Sequence, residues 1–284
     1  MNGIINVYKE PGCTSQHVVS AIRKIFSTKA VGHMGTLDPQ GEGVLPVGIG
    51  KATRLFDLLL SKDKVYEAVF KFGYETDTLD KDGIIVKTSD VLPTENQIIE
   101  AARKLIGKIN QVPPRYSAKN INGVRAYDLA RRGKEVNLQP ASVEIFDFTL
   151  LRQVGEDEYL FRICCSSGTY IRSLCRDIAA QLGTAATMTA IKRTRSGRFS
   201  IDDAKTLDQI SEMGESAIIP VENVLADMPR EDFPVKMYKQ ILCGVSFPFV
   251  SKYDLFTVYC NGEFFGVGTT TPEGMFRIKT YLKD

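Results

Sequence analysis

A glycine-rich segment from Val31 to Arg54, VGHMGTLDPQGEGVLPVGIGKATR, constrains the fold of this chain more than any other stretch. It holds six of the chain's 23 glycines and two prolines, but only two carboxylates, Asp38 and Glu42. Glycines allow tight turns and the close approach of a ligand to the backbone. The proline after Asp38 disfavours the helical region and keeps that residue extended. The pattern therefore predicts loop and tight strand around one rigidly held carboxylate.

Two interpretations of Asp38 stand side by side at this point. A short carboxylate on a rigid, glycine-flanked loop suits a nucleophile or general base that needs fixed geometry. An aspartate before a proline is also common as the side chain that closes an Asx turn. The segment is not a nucleotide-binding P-loop, because Ile49 follows Gly48 where that motif requires a lysine.

The hydrophobic pattern predicts a succession of strands and helices. Residues 4–8 indicate a short buried strand, and Thr14 can cap a helix whose apolar residues recur at helical spacing. Residues 65–72 alternate as a strand. The inward face of that strand carries Tyr66, Ala68, Phe70 and Phe72. Further predicted elements are a helix that begins with a Thr94–Gln97 capping box and ends near Gly107, strands over 143–150 and 159–165, and a helix stopped by Gly183.

The character of the sequence changes after about residue 225. Short β-like runs, FTVYC, EFFGVG and MFRIKTYL, alternate there with glycine and proline turns. This pattern predicts a small β-rich unit at the C-terminal end of the chain.

Charge is segregated along the chain, although the formal net charge is only +2. Residues 103–134 contain nine Lys and Arg against one acid, and residues 192–198 contain four bases and no acid. Residues 202–232 contain nine acids against two bases. Such segregation favours a polyanionic partner on one face, with an ordinary solvated surface as the alternative.

Composition and motif spacing exclude several functional classes. No apolar run approaches the roughly 18 residues that a membrane span requires. The N-terminus lacks a signal-peptide pattern, so we expect a cytoplasmic protein. Six cysteines without a C-x-x-C pair and only two histidines predict reduced thiols and no zinc site. The acidic run TDTLDKDG at 76–83 lacks the first aspartate and the final glutamate of a calcium loop, which favours an Asp-rich turn; a role in function through its shape stays open.

The glycine-rich segment resembles the signature of the TruB-type tRNA pseudouridine-55 synthases, in which the aspartate of G-T-L-D-P is the catalytic carboxylate. The N-terminal motif of that family is shortened here to Lys9-Glu10-Pro11-Gly12. The likeness extends continuously over about residues 3–200. Four other stretches match the family in the same order: KEPGCTSQHVV (9–19), KVYEAVFKFGYETDTLDKDG (64–83), QVPPRYSAKNINGVRAYDLAR (111–131) and CSSGTYIRSLCRDIAAQLG (165–183).

The resemblance implies an α+β fold with a mixed, mainly antiparallel sheet and flanking helices. It implies a catalytic domain over 1–226 and a small, β-rich, PUA-like RNA-binding domain over 227–284. The implied activity is a stand-alone isomerisation, without cofactor or metal, of a uridine in the TΨC arm of tRNA to pseudouridine. We expect a monomer that needs no protein partner and no membrane. Because the target base lies inside a folded RNA loop, it must be flipped out before its glycosidic bond is cleaved and remade.

The resemblance also assigns roles to single residues. Asp38 is the catalytic carboxylate, and Arg172 pairs with it and orients it. Tyr66 stacks on the target uracil and takes part in proton transfer. The other implied pocket residues are His33, which fills the space left by the flipped base, Tyr170, which contacts the uracil, and Ile191, which forms an apolar wall. Contacts with the RNA backbone are predicted for Lys119, Arg125, Arg131 and Arg132.

Pattern alone leaves structural alternatives for these residues. Tyr66 lies on an apolar strand face and also fits a core residue, as Ile191 does. Arg172 also fits an exposed helix arginine, and His33 a locally hydrogen-bonded loop residue. Two other functions remain open as well: a non-catalytic RNA-binding or RNA-folding protein, and a guide-RNA-dependent pseudouridine synthase. The presence of Asp38, Tyr66 and Arg172 together favours an active enzyme.

Overall fold

The computed structural model describes residues 1–60, 63–117, 119–121, 123–133 and 138–283, with all their side chains except those of Leu60, Ile121 and Arg125. The described residues form eighteen strands and eight α-helices. The strands are β1 (Gly3–Lys9), β2 (Val31–His33), β3 (Glu42–Ile49), β4 (Lys64–Phe72), β5 (Tyr74–Thr76), β6 (Ile85–Thr88), β7 (Gly107–Gln111), β8 (Asn120–Ile121), β9 (Val124–Arg125), β10 (Ala141–Gly155), β11 (Glu158–Cys165), β12 (Ala186–Ser196), β13 (Phe199–Ser200), β14 (Ile219–Pro220), β15 (Arg230–Phe233), β16 (Phe256–Cys260), β17 (Glu263–Thr270) and β18 (Phe276–Tyr281). The helices are α1 (Ser15–Ile25), α2 (Phe56–Leu60), α3 (Glu95–Lys104), α4 (Ala126–Arg131), α5 (Ile171–Gln181), α6 (Leu207–Met213), α7 (Val221–Val224) and α8 (Tyr238–Leu242).

A ten-stranded sheet organises the first part of the chain. Its main path is β14-β1-β3-β12-β4-β11-β10-β7, with β2 added to β3 and β13 added to β12. All neighbouring strands in this sheet are antiparallel except β3 and β12, which pair in parallel at Glu42–Lys192 and Gly43–Arg193. The expected mixed, mainly antiparallel sheet is thus confirmed.

Local signals in the sequence set the starts of the flanking helices. The Thr14 hydroxyl accepts the N–H of His17 at the start of α1. Thr94 and Gln97 form the predicted capping box of α3, which satisfies two backbone donors that a helix start leaves open. Helix α5 begins at Ile171, because Tyr170 is extended and serves as its N-cap.

The central strand β4 carries the core of this first part. Its alternate residues Lys64 to Phe72 are buried, as the period-two pattern predicts. On that face Phe70 packs against Phe148 and Phe161. The same apolar cluster takes in residues of α3 and α5, and it also includes Leu37 from the glycine-rich segment. The core therefore reaches up to the loop that carries Asp38.

The C-terminal part of the chain forms a separate four-stranded sheet, β15-β16-β17-β18, as the short β-like runs after about residue 225 predict. Phenylalanines from its strands and connections form its own core. Val267 and Leu282 join Ile4, Met34 and other residues of the first part in a shared apolar cluster. The boundary between residues 226 and 227 and the PUA-like assignment stay predictions. No helix among the described residues is long and apolar enough to cross a lipid bilayer.

Candidate active site

Asp38 lies on the loop between β2 and β3, and hydrogen bonds fix the backbone on both sides of it. The Ser15 hydroxyl donates to the carbonyl of Leu37 and accepts the Leu37 N–H, both at 2.9 Å. The Gly12 N–H donates to the carbonyl of Pro39 at 2.9 Å. A loop held in this way presents the Asp38 carboxylate in one direction, as the rigid-loop interpretation predicts.

Arg172, on the first turn of α5, grips Asp38 with two nitrogens. Its Nε lies 3.0 Å from Asp38 Oδ2, and its Nη2 donates to Asp38 Oδ1 at 3.2 Å. The arginine side chain is 7% exposed, whereas that of Asp38 is 36% exposed. A two-point contact fixes the carboxylate plane, yet Asp38 stays open to an incoming molecule. Arg172 is therefore not an exposed helix arginine.

Asp80 is a second carboxylate on the same guanidinium, and sequence reasoning missed it. Its Oδ2 lies 3.2 Å from Arg172 Nη1. The same guanidinium donates to the carbonyls of Thr78 at 3.0 Å and Tyr116 at 3.1 Å. The acidic run at 76–83 is a turn, as predicted, but it also carries a site residue. The sequence signal for Asp80 was that it lies inside residues 64–83, one of the stretches that match the family.

The turn reaches the site because its backbone is locked to the main sheet. Leu79 adopts a left-handed φ of 63°, and the Met188 N–H donates to its carbonyl at 3.2 Å. The Thr78 hydroxyl donates to Asp80 Oδ1 at 2.6 Å. Asp80 is therefore as firmly oriented as Asp38, from the opposite side of Arg172.

Lys9 is a buried cation behind the Asp38 loop that the sequence did not reveal. Its side chain is fully buried at the end of β1, and its Nζ donates to the carbonyls of Glu10, Pro39 and Gly41 at 3.0, 2.9 and 2.6 Å. Burial lowers the pKa of Lys9, against the opposing effects of Cys13 and Asp38.

Arg193 is a second fully buried cation. It belongs to the basic run at 192–198 that the charge pattern assigns to a polyanion-facing surface, and for this residue that expectation is wrong. The register of β12 turns its side chain inward, where it donates to the carbonyls of Val44, Gly35 and Thr36 at 2.7, 3.1 and 3.4 Å.

Tyr66 lies on β4 directly opposite Arg193 on β12 and Ile163 on β11. It is 6% exposed and belongs to the apolar cluster that contains Leu37 and Ile191. Burial raises the pKa of Tyr66, and the nearby positive charge of Arg193 opposes that rise. Tyr66 is thus a core residue by packing and a neighbour of the Asp38 loop at the same time.

The remaining predicted pocket residues are His33 and Tyr170. His33 is on β2, and its Nδ1 is buried without a hydrogen-bond partner among the described residues. Burial, with a smaller effect of Arg193, lowers the pKa of His33. The Tyr170 N–H donates to Gln111 Oε1 at 2.8 Å, which fixes the start of α5.

A cleft opens beside Asp38. Ile191 lines it together with Pro39–Gly41, Asp80–Asp82 and Met188–Ala190. The structure thus brings Asp38, Ile191 and Asp80 to one cleft, with Arg172 beneath it. Within the described ranges, no group of three or more His, Cys, Asp or Glu side chains could hold a metal ion.

The basic residues predicted to contact RNA are only partly described. Arg131 and Arg132 are exposed at the end of α4, and the Arg131 guanidinium lies 5.6 Å from the Tyr127 ring centroid. Lys119 Nζ donates to the carbonyl of Gln139 at 3.3 Å. The Arg125 side chain lies outside the described part of the structure. Their contacts with RNA stay predictions.

Comparison with protein families decides which family shares this arrangement. The model described as "TruB family pseudouridylate synthase (N terminal domain)" matches residues 23–171. The model described as "tRNA pseudouridylate synthase B C-terminal domain" matches residues 172–226. The chain belongs to the TruB family. It is accordingly a pseudouridine synthase, as its motifs indicate.

Individual relatives support the same assignment over nearly the full length. Proteins named tRNA pseudouridine synthase B from Clostridium perfringens strain 13 and Clostridium tetani are each 38% identical to this TruB-family chain. The first alignment covers 99% of both chains; the second covers 98% of this chain and 99% of the relative. The protein of that name from Lactococcus lactis is 40% identical over 87% of this chain and 79% of its own length.

Solved structures of the wider group share the fold of this TruB-family chain. A chain in "Structure of H/ACA RNP bound to a substrate RNA containing 2'-deoxyuridine" has a TM-score of 0.72 and 25% identity, with 99% of this chain and 85% of that chain covered. A chain in "Crystal Structure of a Cbf5-Nop10-Gar1 Complex" has a TM-score of 0.70 and 27% identity, with 95% and 78% covered.

Replacing Asp80 with asparagine tests the second carboxylate of this TruB-family site. The change removes one of the two negative charges that hold Arg172, so the grip on Asp38 loosens. Because small misplacements of reacting groups cost up to about 100-fold in rate, we expect the single-turnover rate to fall about 10- to 100-fold. The tRNA affinity should stay unchanged. The single-turnover rate is measured with enzyme in excess over tRNA. The tRNA affinity is measured by filter binding.

The matched control is Asp90→Asn, which removes an exposed carboxylate that follows β6 and does not line the cleft. It should retain the parental rate. Equal loss of rate in both variants would mean that the loss does not come from the contact of Asp80 with Arg172.

Proposed function

We propose that this chain is a stand-alone tRNA pseudouridine synthase that isomerises the uridine at position 55, in the TΨC loop, to pseudouridine. The observation that carries the proposal is the two-point Asp38–Arg172 pair beside the small cleft that Ile191 lines. A carboxylate that is oriented by a buried guanidinium and still accessible suits covalent or general-base catalysis on a bound nucleoside. Membership of the TruB family supports the same reaction.

The reaction conserves every atom of the nucleoside. The bond between uracil N1 and ribose C1′ breaks, the freed base turns, and a bond forms between C5 and C1′. The proton on C5 is lost and N1 gains one. A lone carboxylate has three routes into this sequence: attack on C1′, attack on uracil C6, or removal of a sugar proton. We assign that step to Asp38, whose direction Arg172 sets.

The reaction is redox-neutral and transfers no phosphate, so side chains of this chain suffice for it. We assign Tyr66 to stacking on the uracil and to movement of the C5 proton. Ile191 is assigned to the apolar wall of the cleft, and Tyr170 to contact with the uracil. His33, whose pKa burial lowers, is assigned to the space left in the RNA by the flipped base, where a neutral ring can stack.

The RNA partner is a folded tRNA arm. The exposed cations Arg131 and Arg132, with Lys119 and Arg125 from the same basic segment, are assigned to its phosphates. The two predicted domains have separate roles. Residues 1–226 catalyse the reaction, and the PUA-like unit over 227–284 contacts the RNA. We further propose a cytoplasmic monomer that needs no protein partner.

Incubation of the purified protein with an unmodified tRNA transcript, and no other macromolecule, tests this function. We expect stoichiometric conversion of one uridine, which primer extension after carbodiimide treatment locates at position 55. A short TΨC stem-loop should also react. Tight binding without conversion would favour the RNA-folding alternative. Conversion only after addition of a cellular RNA fraction would favour the guide-dependent alternative.

The salt dependence of tRNA binding tests the basic segment. Each phosphate contact that is lost should flatten the slope of log affinity against log salt by about 0.7–0.9. We expect Arg131→Ala with Arg132→Ala to weaken binding and to flatten the slope. Arg152→Ala, an exposed change on β10 outside the segment, should leave it unchanged. An unaltered slope in the double variant would assign the pair to a solvated surface.

A further inference from the structure

We infer that Arg193 is a positioning residue for the isomerisation: its buried guanidinium holds the Asp38 loop and the Tyr66 hydroxyl in fixed relation to each other. This inference rests on the proposed function. Arg193 does not line the cleft beside Asp38, so it acts through these two groups rather than on the substrate.

The contacts of Arg193 bracket the catalytic loop. Its Nη2 and Nη1 donate to the carbonyls of Gly35 and Thr36, which precede Asp38. Its Nε donates to the carbonyl of Val44, which follows the loop. Because a guanidinium is planar and its donors form a rigid fork, the three carbonyls are held in one arrangement.

Tyr66 is the second group that Arg193 positions. It faces Arg193 directly across the β4–β12 pair, so the two side chains lie on the same face of the sheet, and the positive charge of Arg193 opposes the rise in the pKa of the phenol. One rigid side chain therefore contacts the loop that carries the proposed nucleophile and lies beside the residue assigned to the C5 proton. Asp38 and Tyr66 lie on different elements, and Arg193 neighbours both.

The burial of Arg193 favours such a role over simple packing. The side chain is fully buried, and no ion pair found among the described residues includes it. A buried charge without a carboxylate partner is costly to the fold. An apolar side chain of similar volume would avoid that cost but would leave the carbonyls of Gly35, Thr36 and Val44 without these donors, so the arginine fixes the loop backbone in a way that apolar packing would not.

The backbone of Arg193 pairs with the strands on both sides of β12, β3 and β4. On one side it pairs in parallel with Gly43 of β3, and on the other it pairs with Tyr66 of β4. Gly43 has a φ of 104°, and a Cβ on it would lie 2.3 Å from the Arg193 carbonyl oxygen. Only glycine allows this approach, so an alanine there would push β12 away from the loop.

Arg193→Lys is the first test, because lysine keeps the charge but cannot reproduce the fork. We expect the single-turnover rate with saturating enzyme to fall at least about 30-fold, since displacement of reacting groups acts on the chemical step. The tRNA Kd should change by less than about threefold, because the phosphate contacts lie elsewhere. Arg193→Met, which has similar length but no donor, should be slower than the lysine variant at equal tRNA affinity.

Two further variants keep the test independent of folding losses. Phe161→Leu opens a cavity in the same core on β11 and supplies a control whose melting temperature falls without any change at Arg193; it should keep the parental rate on bound tRNA. Gly43→Ala leaves Arg193 intact and displaces its backbone. Gly43→Ala should slow the chemical step as Arg193→Lys does. The variant that carries both changes should be little slower than Arg193→Lys alone.

The inference is overturned if Arg193→Lys and Arg193→Met react at the parental rate. It is also overturned if their rates fall only as far as that of Phe161→Leu at the same melting temperature, because the arginine would then be structural. Failure of the proposed function is a different result: the parent protein itself would bind tRNA and form no pseudouridine.

Discussion

Asp38→Asn is expected to reduce pseudouridine formation below detection while tRNA binding stays near the parental level. The amide keeps the shape and size of the side chain but has no negative charge and is a poor nucleophile and base. Loss of a residue that acts directly on the reacting atoms costs at least about 10⁴-fold in rate. Binding should persist because phosphate contacts supply most of the affinity for RNA and lie elsewhere on the surface.

The measurement is single-turnover conversion of unmodified tRNA, followed over hours, together with tRNA affinity and melting temperature. Glu42→Gln is the matched control. Glu42 is the other carboxylate of the glycine-rich segment, but its contacts are the Tyr8 hydroxyl at 2.8 Å and Lys192 at 3.5 Å, and none of its contacts is with Arg172. We expect the control to retain most of the parental rate. An Asp38→Asn turnover within about tenfold of the parent would remove Asp38 from the chemistry.

The sequence predicts Asp38 well because the evidence for it is local. Glycines, a following proline and a lone carboxylate lie within one short segment, and the structure places them in a loop whose backbone is fixed on both sides. The helix caps at Thr14 and Thr94 and the alternation of β4 are equally local, and all three are observed. Period and capping rules need only a few neighbouring residues to apply.

Asp80 could not be found in the same way. Its role depends on a contact with Arg172, which is distant in sequence. What brings them together is a backbone hydrogen bond between Leu79 and Met188 that docks the acidic turn on β12. Neither residue type nor spacing indicates such a contact, and the only sequence signal for Asp80 is its place inside a family-like motif.

The burial of Lys9 and Arg193 could not be predicted from the sequence for a different reason. Composition treats every lysine and arginine as a surface charge, which is correct for most of them. Lys9 and Arg193 are exceptions because backbone carbonyls of the glycine-rich loop satisfy their donors. The parallel pairing of β3 with β12 creates that environment. Strand order is a property of the whole sheet, and no single motif encodes it.

Tyr66→Phe separates the two roles that packing and chemistry give to one side chain. Phenylalanine keeps the ring, its burial and its stacking face. It removes only the hydroxyl, on the face of the sheet that Tyr66 shares with Arg193. Loss of a hydroxyl's hydrogen bond costs about 1 kcal/mol of stability, which corresponds to about 2–4 °C in melting temperature for a chain of this size.

If Tyr66 were only a core residue, the variant would therefore be slightly less stable and fully active. In the proposed mechanism the ring stacks on the flipped uracil, which is worth about 1–3 kcal/mol of binding, and phenylalanine preserves that contact. The hydroxyl takes part in moving the proton that leaves C5, and general acid–base groups contribute about 10²- to 10⁴-fold. We expect a rate loss within that range, with tRNA affinity and melting temperature nearly unchanged.

Tyr159→Phe is the matched control, because Tyr159 is a buried tyrosine on the neighbouring strand β11 whose pKa burial also raises. It packs against Phe72 at the far end of β4, so its hydroxyl has no route to the cleft. Both variants should melt within a few degrees of the parent, but only Tyr66→Phe should be slow in a single turnover. A parental rate for Tyr66→Phe would leave the phenol without a part in proton transfer, and Tyr66 would then serve as a stacking platform whose loss only Tyr66→Ala could expose. That outcome would also remove one arm of the relation assigned to Arg193, which would then act on the Asp38 loop alone.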